Sequence, residues 1–206
     1  MRKIRILTDS ASDIPLKIAE RLDIKVLPIP ITHDGKSYHE RVEFSNEQFY
    51  QLLLESRVVP FTSHINANTY LEEYKKAYEQ GYTQILNVTI NSLGSSMFDS
   101  ANLAKRMFYE ETGVAEDRMR IEVMDSKTYT IAYGLAVIRA AEMADRGIEL
   151  DDIVAYLSDW FDRLEIMFSV YSLDFVKKSG RVGCAAAFVG ELLGLRPVIV
   201  FVDGVA

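Results

Sequence analysis

Hydroxyl-bearing side chains recur where hydrophobic runs of this sequence give way to polar segments. Hydroxyl groups and backbone N–H groups at the N-terminus of a helix can bind a carboxylate or a phosphate. The same residue types also cap helices without binding any ligand. As a set they predict an anion-binding site, while the role of each member stays open. The segments are Thr8-Asp9-Ser10, Phe61-Thr62-Ser63-His64, Asn91-Ser92-Leu93-Gly94-Ser95-Ser96 and Asp125-Ser126-Lys127-Thr128.

Catalytic chemistry has weaker support in the same residues. Asp9 follows a hydrophobic strand, as a phosphotransfer aspartate would, but Ala11 stands where a second acid is usual, and a capping or turn role is the alternative. Dinucleotide-binding, phosphate-loop and Gly-x-Ser-x-Gly patterns are missing from the sequence. We therefore predict no catalytic residue, and an Asp-dependent phosphotransferase or hydrolase stays as the alternative.

The histidines and one basic cluster are further candidate binding groups. His33, His39 and His64 are not at metal-ligand spacing, so no metal site is predicted. His64 lies beside Thr62 and Ser63 and is either a ligand neighbour or a helix-start residue. The cluster at residues 177–181, which includes Lys178 and Arg181, is either a solvated turn or a docking patch for an anionic group or acidic partner.

Strand-like and helix-like patterns alternate along the chain. This order predicts an α/β fold with a mostly parallel sheet and flanking helices. Pro28 and Pro30 predict an edge or irregular position for the second strand. Strands are predicted at residues 4–7, 25–31, 84–90, 120–124, 165–171 and 197–202. Ser45 and Gln48, three residues apart, form a capping-box pattern that predicts a helix ending at residue 55. One helix is predicted to begin at residue 15 and another to end at residue 145. Further helices are predicted at residues 66–80, 96–111, 151–164 and 185–193.

Composition limits the class of partner. The net charge of −7 and the isoelectric point of about 5.1 argue against nucleic acid and anionic membranes as partners. Apolar runs long enough to span a membrane do not occur, so no stable membrane insertion is expected. The single cysteine, Cys184, and a start without signal-peptide features predict a cytoplasmic protein.

The sequence pattern changes near Leu164, and this change predicts a domain boundary. We expect an N-terminal α/β domain over residues 1–164 and the beginning of a C-terminal α/β domain over residues 165–206. The sequence stops soon after a hydrophobic strand, and we expect a shortened second domain. A truncated domain that binds nothing is therefore one alternative to a working binding protein.

Six segments in order resemble one protein family. The chain resembles the DegV family over essentially its whole length, and the ordered set is far more specific than any one motif. The carrying segments are Thr8-Asp9-Ser10-Ala11-Ser12-Asp13-Ile14, Pro60-Phe61-Thr62-Ser63, Ser95 with Ser100-Ala101, Asp125-Ser126-Lys127 with Gly134, Lys177-Lys178-Ser179-Gly180-Arg181-Val182-Gly183 and Leu195-Arg196-Pro197-Val198.

The resemblance implies a lipid carrier rather than an enzyme. It implies that Thr62, Ser63 and Ser95 hydrogen-bond the carboxylate of a long-chain fatty acid. We further predict that His64, Ser92 and Ser96 belong to the same ligand-binding set, with His64 and Ser96 standing where the family has other residues. The acyl chain would lie in an apolar tunnel between two α/β domains. Arg181 would contribute to docking a partner kinase that phosphorylates the bound fatty acid, so the carrier would need no cofactor of its own.

Overall fold

The computed structural model describes residues 3–56, 58–170, 198–201 and 204–205. The strands are β1 (Ile4–Asp9), β2 (Ile24–Leu27), β3 (Pro30–His33), β4 (Lys36–His39), β5 (Phe61–Thr62), β6 (Gln84–Thr89), β7 (Arg120–Asp125), β8 (Ile166–Ser169) and β9 (Val198–Phe201). The helices are α1 (Leu16–Arg21), α2 (Asn46–Glu55), α3 (Ala67–Glu79), α4 (Met97–Thr112), α5 (Ile131–Asp145) and α6 (Leu150–Arg163). A short 3-10 turn, Ser10–Ser12, follows β1.

Contacts group the chain into two units. The first consists of Met1–Ile29 and His64–Leu164, and the second of Pro30–Ser63 and Glu165–Ala206. One border coincides with the domain boundary predicted after Leu164. The segment Pro30–Ser63 lies within the predicted first domain, yet it groups with the second unit, because β3 pairs with β4 and β5.

The first unit is built on a parallel sheet. Its four strands run in the order β2-β1-β6-β7, and each neighbouring pair is parallel. A helix or a helix-containing segment connects the successive strands, as parallel pairing requires. The predicted α/β fold with flanking helices is confirmed, and β2, which ends directly before Pro28, lies at an edge of the sheet.

Two apolar layers bury this sheet from opposite faces. Every residue of the inner strand β6 is buried, which is typical of a strand covered on both sides. Tyr70 and Phe108 belong to one cluster, carried by α3 and α4. Tyr133 and Leu157 belong to the other, carried by α5 and α6. The helices therefore form a layer on each face of the sheet.

Local sequence signals fix several helix ends. Ser45 and Gln48 form the predicted capping box at the start of α2, each side chain bonding the other residue's backbone N–H. Asn66 caps α3 by accepting the Thr69 N–H at 3.1 Å. Gly113 ends α4 with a φ of 65°, a left-handed conformation that glycine adopts without steric cost.

The second unit contains a small antiparallel sheet that the sequence analysis missed. The prediction of one strand over residues 25–31 is wrong, since β2 ends at Leu27 and β3 starts at Pro30 in a different sheet. A hairpin joins β3 to β4 through Asp34 and Gly35, whose φ values are 47° and 73°. An Asp-Gly pair between two strand-like runs is the usual signal for such a turn.

Strands β8 and β9 pair antiparallel in the second unit, at the positions predicted for the last two strands. Phe168 and Phe201 stack on one face of this pair with ring centroids 5.8 Å apart. The start of a second α/β domain stays a prediction, and the helix predicted at residues 185–193 lies outside the described residues.

Candidate functional site

The carboxyl ends of the parallel strands bring three polar segments of the first unit to one edge. They follow β1, β6 and β7 and comprise the Ser10–Ser12 turn, the β6–α4 loop (residues 91–96) and the β7–α5 loop (residues 126–130). This edge is where open parallel sheets bind ligands. Three of the four hydroxyl-rich segments of the sequence therefore lie at one edge of the sheet.

Asp9 is fully buried at this edge. Its carboxylate accepts hydrogen bonds from the backbone N–H groups of Ala11 (3.1 Å) and Ile90 (3.0 Å) and from the Tyr133 hydroxyl (2.6 Å). The predicted capping role is confirmed, because Asp9 is the N-cap of the 3-10 turn. A nucleophile must meet its substrate, so this enclosure argues against phosphotransfer at Asp9.

The Asp9 carboxylate acts on two buried tyrosines. Burial and the charge of Asp9 raise the pKa of Tyr133 well above its ordinary value, so its hydroxyl keeps the proton that it donates to Asp9. The same two causes raise the pKa of Tyr70. Both tyrosines therefore keep their hydroxyl protons, and Tyr133 donates its proton to the Asp9 side chain.

A second aspartate, Asp125, joins the two neighbouring loops. Its Oδ1 accepts the Ser92 N–H at 3.0 Å and the Lys127 N–H at 2.9 Å, and its Oδ2 accepts the Ser92 hydroxyl at 2.5 Å. The Ser92 hydroxyl proton is therefore directed at Asp125. Sequence reasoning placed Asp125 in a polar loop but gave it no role, because its partner lies 33 residues away.

Asn91 and Tyr129 reinforce the β6–α4 loop. The Asn91 side chain accepts the Leu93 N–H at 3.1 Å and donates to the Tyr129 hydroxyl at 3.0 Å. The Tyr129 hydroxyl also lies against Gly94, where an added Cβ would come within 2.3 Å of it. A side chain at position 94 would therefore require the Tyr129 ring to move.

Ser95 and Ser96 lie where this loop enters α4. Ser95 is half-buried, and its Oγ accepts the Met97 N–H at 3.4 Å, which leaves the hydroxyl proton for another acceptor. Ser96 is exposed and is the N-cap residue of α4, but its side chain makes no capping hydrogen bond. Of the three predicted serines of this loop, Ser95 and Ser96 are therefore better placed than Ser92 to donate to a ligand.

Thr62 and Ser63 lie side by side in the second unit, and both are exposed. Thr62 pairs with Ile31 across the small antiparallel sheet, and the Ser63 N–H donates to the Pro30 carbonyl at 3.0 Å. These backbone bonds hold the segment while its hydroxyls face solvent.

His64 is also exposed, and it opens the second segment of the first unit. The capping side chain of α3 comes from Asn66, so His64 does not start that helix.

Metal-binding groups and membrane-spanning helices are both absent from the described parts of the chain. Groups of three or more histidine, cysteine and acidic residues that could hold a metal ion do not occur there. Every helix there is too short or too polar to cross a bilayer. Lys178 and Arg181 of the predicted docking patch lie outside the described residues.

A family model described as "Uncharacterised protein, DegV family" matches residues 3–206. The chain belongs to the DegV family. A DegV domain-containing protein of Caldanaerobacter subterraneus subsp. tengcongensis is 31% identical over 204 residues, which cover 99% of this chain and 69% of that relative. A DegV domain-containing protein of Staphylococcus aureus is 30% identical over 203 residues, covering 98% of this chain and 68% of the relative.

Solved DegV structures share the fold. A DegV-family protein from Thermus thermophilus, reported for its fatty acid binding, is 32% identical with a TM-score of 0.84, covering 99% of this chain and 69% of that one. A stearic-acid-binding protein from Eubacterium ventriosum is 29% identical with a TM-score of 0.87, covering 100% of this chain and 68% of that one. The DegV match thus extends over both units.

Proposed function

We propose that this DegV-family chain is a carrier that binds a long-chain fatty acid, rather than an enzyme. The observation that carries the proposal is its similarity in sequence and fold to the Thermus thermophilus and Eubacterium ventriosum proteins, which bind fatty acids. The Asp9 carboxylate gives further support, because it is buried and already accepts three hydrogen bonds. The one catalytic alternative in the sequence depended on that residue.

The head group is proposed to take hydrogen bonds from Thr62, Ser63 and Ser95, with Ser96 and His64 beside it. Support comes from the exposure of Thr62 and Ser63 and from the hydroxyl proton of Ser95, which its bond to the Met97 N–H leaves unused. Neutral hydroxyls orient a carboxylate without neutralising it, so its oxygens stay nucleophilic. Ser92 contributes as an anchor of the loop, because its own hydroxyl donates to Asp125.

Burial of the acyl chain supplies the affinity in this proposal. Each buried CH₂ contributes roughly 0.8 kcal/mol, so about 14 methylenes contribute on the order of 10 kcal/mol. A few polar groups then suffice to fix the direction of the ligand. The carrier needs no metal or nucleotide cofactor for this task.

The carrier is further proposed to act in the cytoplasm and to present the carboxylate to a partner kinase, which forms the acyl phosphate. The docking patch is proposed to include Lys178 and Arg181, on the basis of sequence and family resemblance. Charged side chains at the edge of an interface mainly govern association and specificity. Their replacement should therefore affect the kinase step and leave fatty acid binding intact.

Native mass spectrometry tests the binding proposal. The purified chain should carry an added mass equal to a fatty acid, and the delipidated chain should take up palmitate or oleate in a one-to-one ratio. Protein that carries no ligand and takes up neither acid would contradict the proposal.

A reconstituted assay tests the kinase step separately. The loaded chain, a fatty acid kinase and ATP should yield an acyl phosphate that hydroxylamine traps as a hydroxamate. The double variant Lys178→Glu with Arg181→Glu should retain palmitate but lower the hydroxamate yield. An unchanged yield would remove these two residues from the docking patch.

A further inference from the structure

The β6–α4 loop is held by a carboxylate that no ligand needs to touch. Asp125 accepts the N–H and the hydroxyl of Ser92 and the N–H of Lys127. One side chain at the end of β7 therefore fixes the starts of two loops that follow neighbouring strands. Hydrogen bonds to an ionised acceptor are about twice as strong as those between neutral groups.

Through Ser92, the hydrogen bonds to Asp125 also influence the position of Ser95. Ser92 lies three residues before Ser95. The turn that contains Ser92 is closed by the Gly94 N–H, which donates to the Asn91 carbonyl at 3.1 Å. Movement of Ser92 would therefore move the backbone that sets the direction of the Ser95 hydroxyl. The chain conformation at Lys127, with a φ of 53°, is also one that non-glycine residues rarely adopt, and the bond from its N–H to Asp125 stabilises it.

We propose that Asp125 is a positioning residue that orders the β6–α4 loop before the fatty acid head group binds. This inference rests on the proposed function. The loop is built in advance by fixed hydrogen bonds, so the ligand does not have to supply the free energy of ordering it. The three donors also occupy the Asp125 oxygens, which lessens the repulsion that a carboxylate would exert on an anionic head group.

If Asp125 positions the loop, the loss of affinity on its substitution should depend on the ligand's head group. Displacement of the β6–α4 loop should weaken the binding of an ionised carboxylate, whereas the contribution of the buried hydrocarbon chain to the affinity should not change. Asp125→Asn keeps the size of the side chain but removes its charge and the acceptor for the Ser92 hydroxyl. Asp162→Asn is the matched control, because Asp162 is an exposed partner of the Lys127 ammonium at 3.2 Å and makes no bond to the β6–α4 loop.

The test compares cis-parinaric acid with its methyl ester by fluorescence titration. Asp125→Asn should weaken binding of the acid about tenfold or more relative to the ester. Asp162→Asn should leave both affinities within about twofold. Equal weakening of acid and ester, or no change in either, would overturn the positioning role while leaving fatty acid binding intact. A parent chain that binds neither probe would overturn the proposed function and this inference with it.

Hydrogen exchange in the ligand-free protein gives a second readout. The Ser92 and Lys127 amides should exchange faster in Asp125→Asn than in the parent and the Asp162→Asn control, because their shared acceptor is weakened. Ser92→Ala covers the case in which Asp125→Asn does not fold. This variant removes the hydroxyl bond alone, so residue 92 keeps one of its two bonds to Asp125. It should raise exchange at the amide of residue 92 and favour the ester over the acid to a smaller degree. Unchanged exchange and probe preference in Ser92→Ala would overturn the proposal.

Discussion

Asp9 and Ser95 lie at the same edge of one sheet, yet their surroundings give them different chemistry. Asp9 is fully buried and its oxygens accept two backbone N–H groups and a tyrosine hydroxyl. Ser95 is partly accessible and retains its hydroxyl proton. At the scale of single residues, burial and prior hydrogen bonds therefore decide which polar groups are available to a ligand.

Thr62→Ala tests the proposed head-group contact. Loss of a donor to an ionised carboxylate should weaken palmitate binding by roughly 1–3 kcal/mol, measured by titration calorimetry. Thr32→Ala is the matched control. Thr32 lies opposite Phe61 in the same sheet and Thr62 opposite Ile31, so the two threonines point to opposite faces. Equal effects of the two substitutions would place the head group away from Thr62.

The surroundings of Asp23 should make the stability of the protein depend on pH. Burial by itself would raise its pKa, but hydrogen bonds from Tyr82 and Arg5, together with the Arg5 charge, lower it overall. A carboxylate whose pKa is lower in the folded than in the unfolded state stabilises the native state at pH values above the unfolded pKa, which is near 3.8. This stabilisation is lost as the pH falls through the folded pKa.

Asp23→Asn should therefore be less stable than the parent at pH 7, and the difference should shrink as the pH is lowered below about 4. Urea unfolding at a series of pH values measures this difference. Asparagine tolerates the φ of 51° found at this position, so the substitution leaves the backbone unstrained. A difference that stays constant from pH 7 to about pH 3 would show that the charge of Asp23 contributes nothing.

At the scale of elements, α5 approaches the turn after β1 so closely that one position admits no side chain. A Cβ on Gly134 would come within 2.1 Å of the Ser12 carbonyl oxygen. Backbone atoms cannot rotate away as a side-chain end can. The small residue therefore sets the distance between this helix and the polar edge of the sheet.

Gly134→Ala should destabilise the protein by roughly 1–3 kcal/mol in denaturant unfolding, although alanine favours helix more than glycine does. The clash with Ser12 should outweigh that gain in helix propensity, which is about 1 kcal/mol. Leu135→Ala, at the adjacent and half-exposed position, should have a smaller effect. An increase in stability on Gly134→Ala would mean that α5 and the turn can separate at little cost.

At the scale of the whole molecule, ligand binding should appear as a gain in stability. A ligand that binds only the native state stabilises it by about 2.7 kcal/mol at one hundred times its dissociation constant. Palmitate should therefore raise the melting temperature of the delipidated chain by several degrees in differential scanning calorimetry. Butyrate has the same head group but few methylenes to bury, so it should cause no measurable shift at the same concentration. Equal shifts with both acids would assign the stabilisation to the carboxylate alone.

The sequence by itself determined the α/β class, the helix caps and the family. Each depends on neighbours along the chain: Ser45 and Gln48 are three residues apart, and the alternation of strand and helix is a pattern of the order of residues. The Asp34-Gly35 turn was also readable locally, so the hairpin of β3 and β4 could have been predicted.

The tertiary structure alone decided what the polar residues do. Asp9 meets Tyr133 across 124 residues, and Asp125 meets Ser92 across 33. Such pairs form because parallel strands end at one edge of the sheet, and neither propensity nor spacing records which strands become neighbours. Hydroxyl-rich loops were therefore predictable as candidates, but the division between anchors such as Ser92 and available donors such as Ser95 required the folded chain.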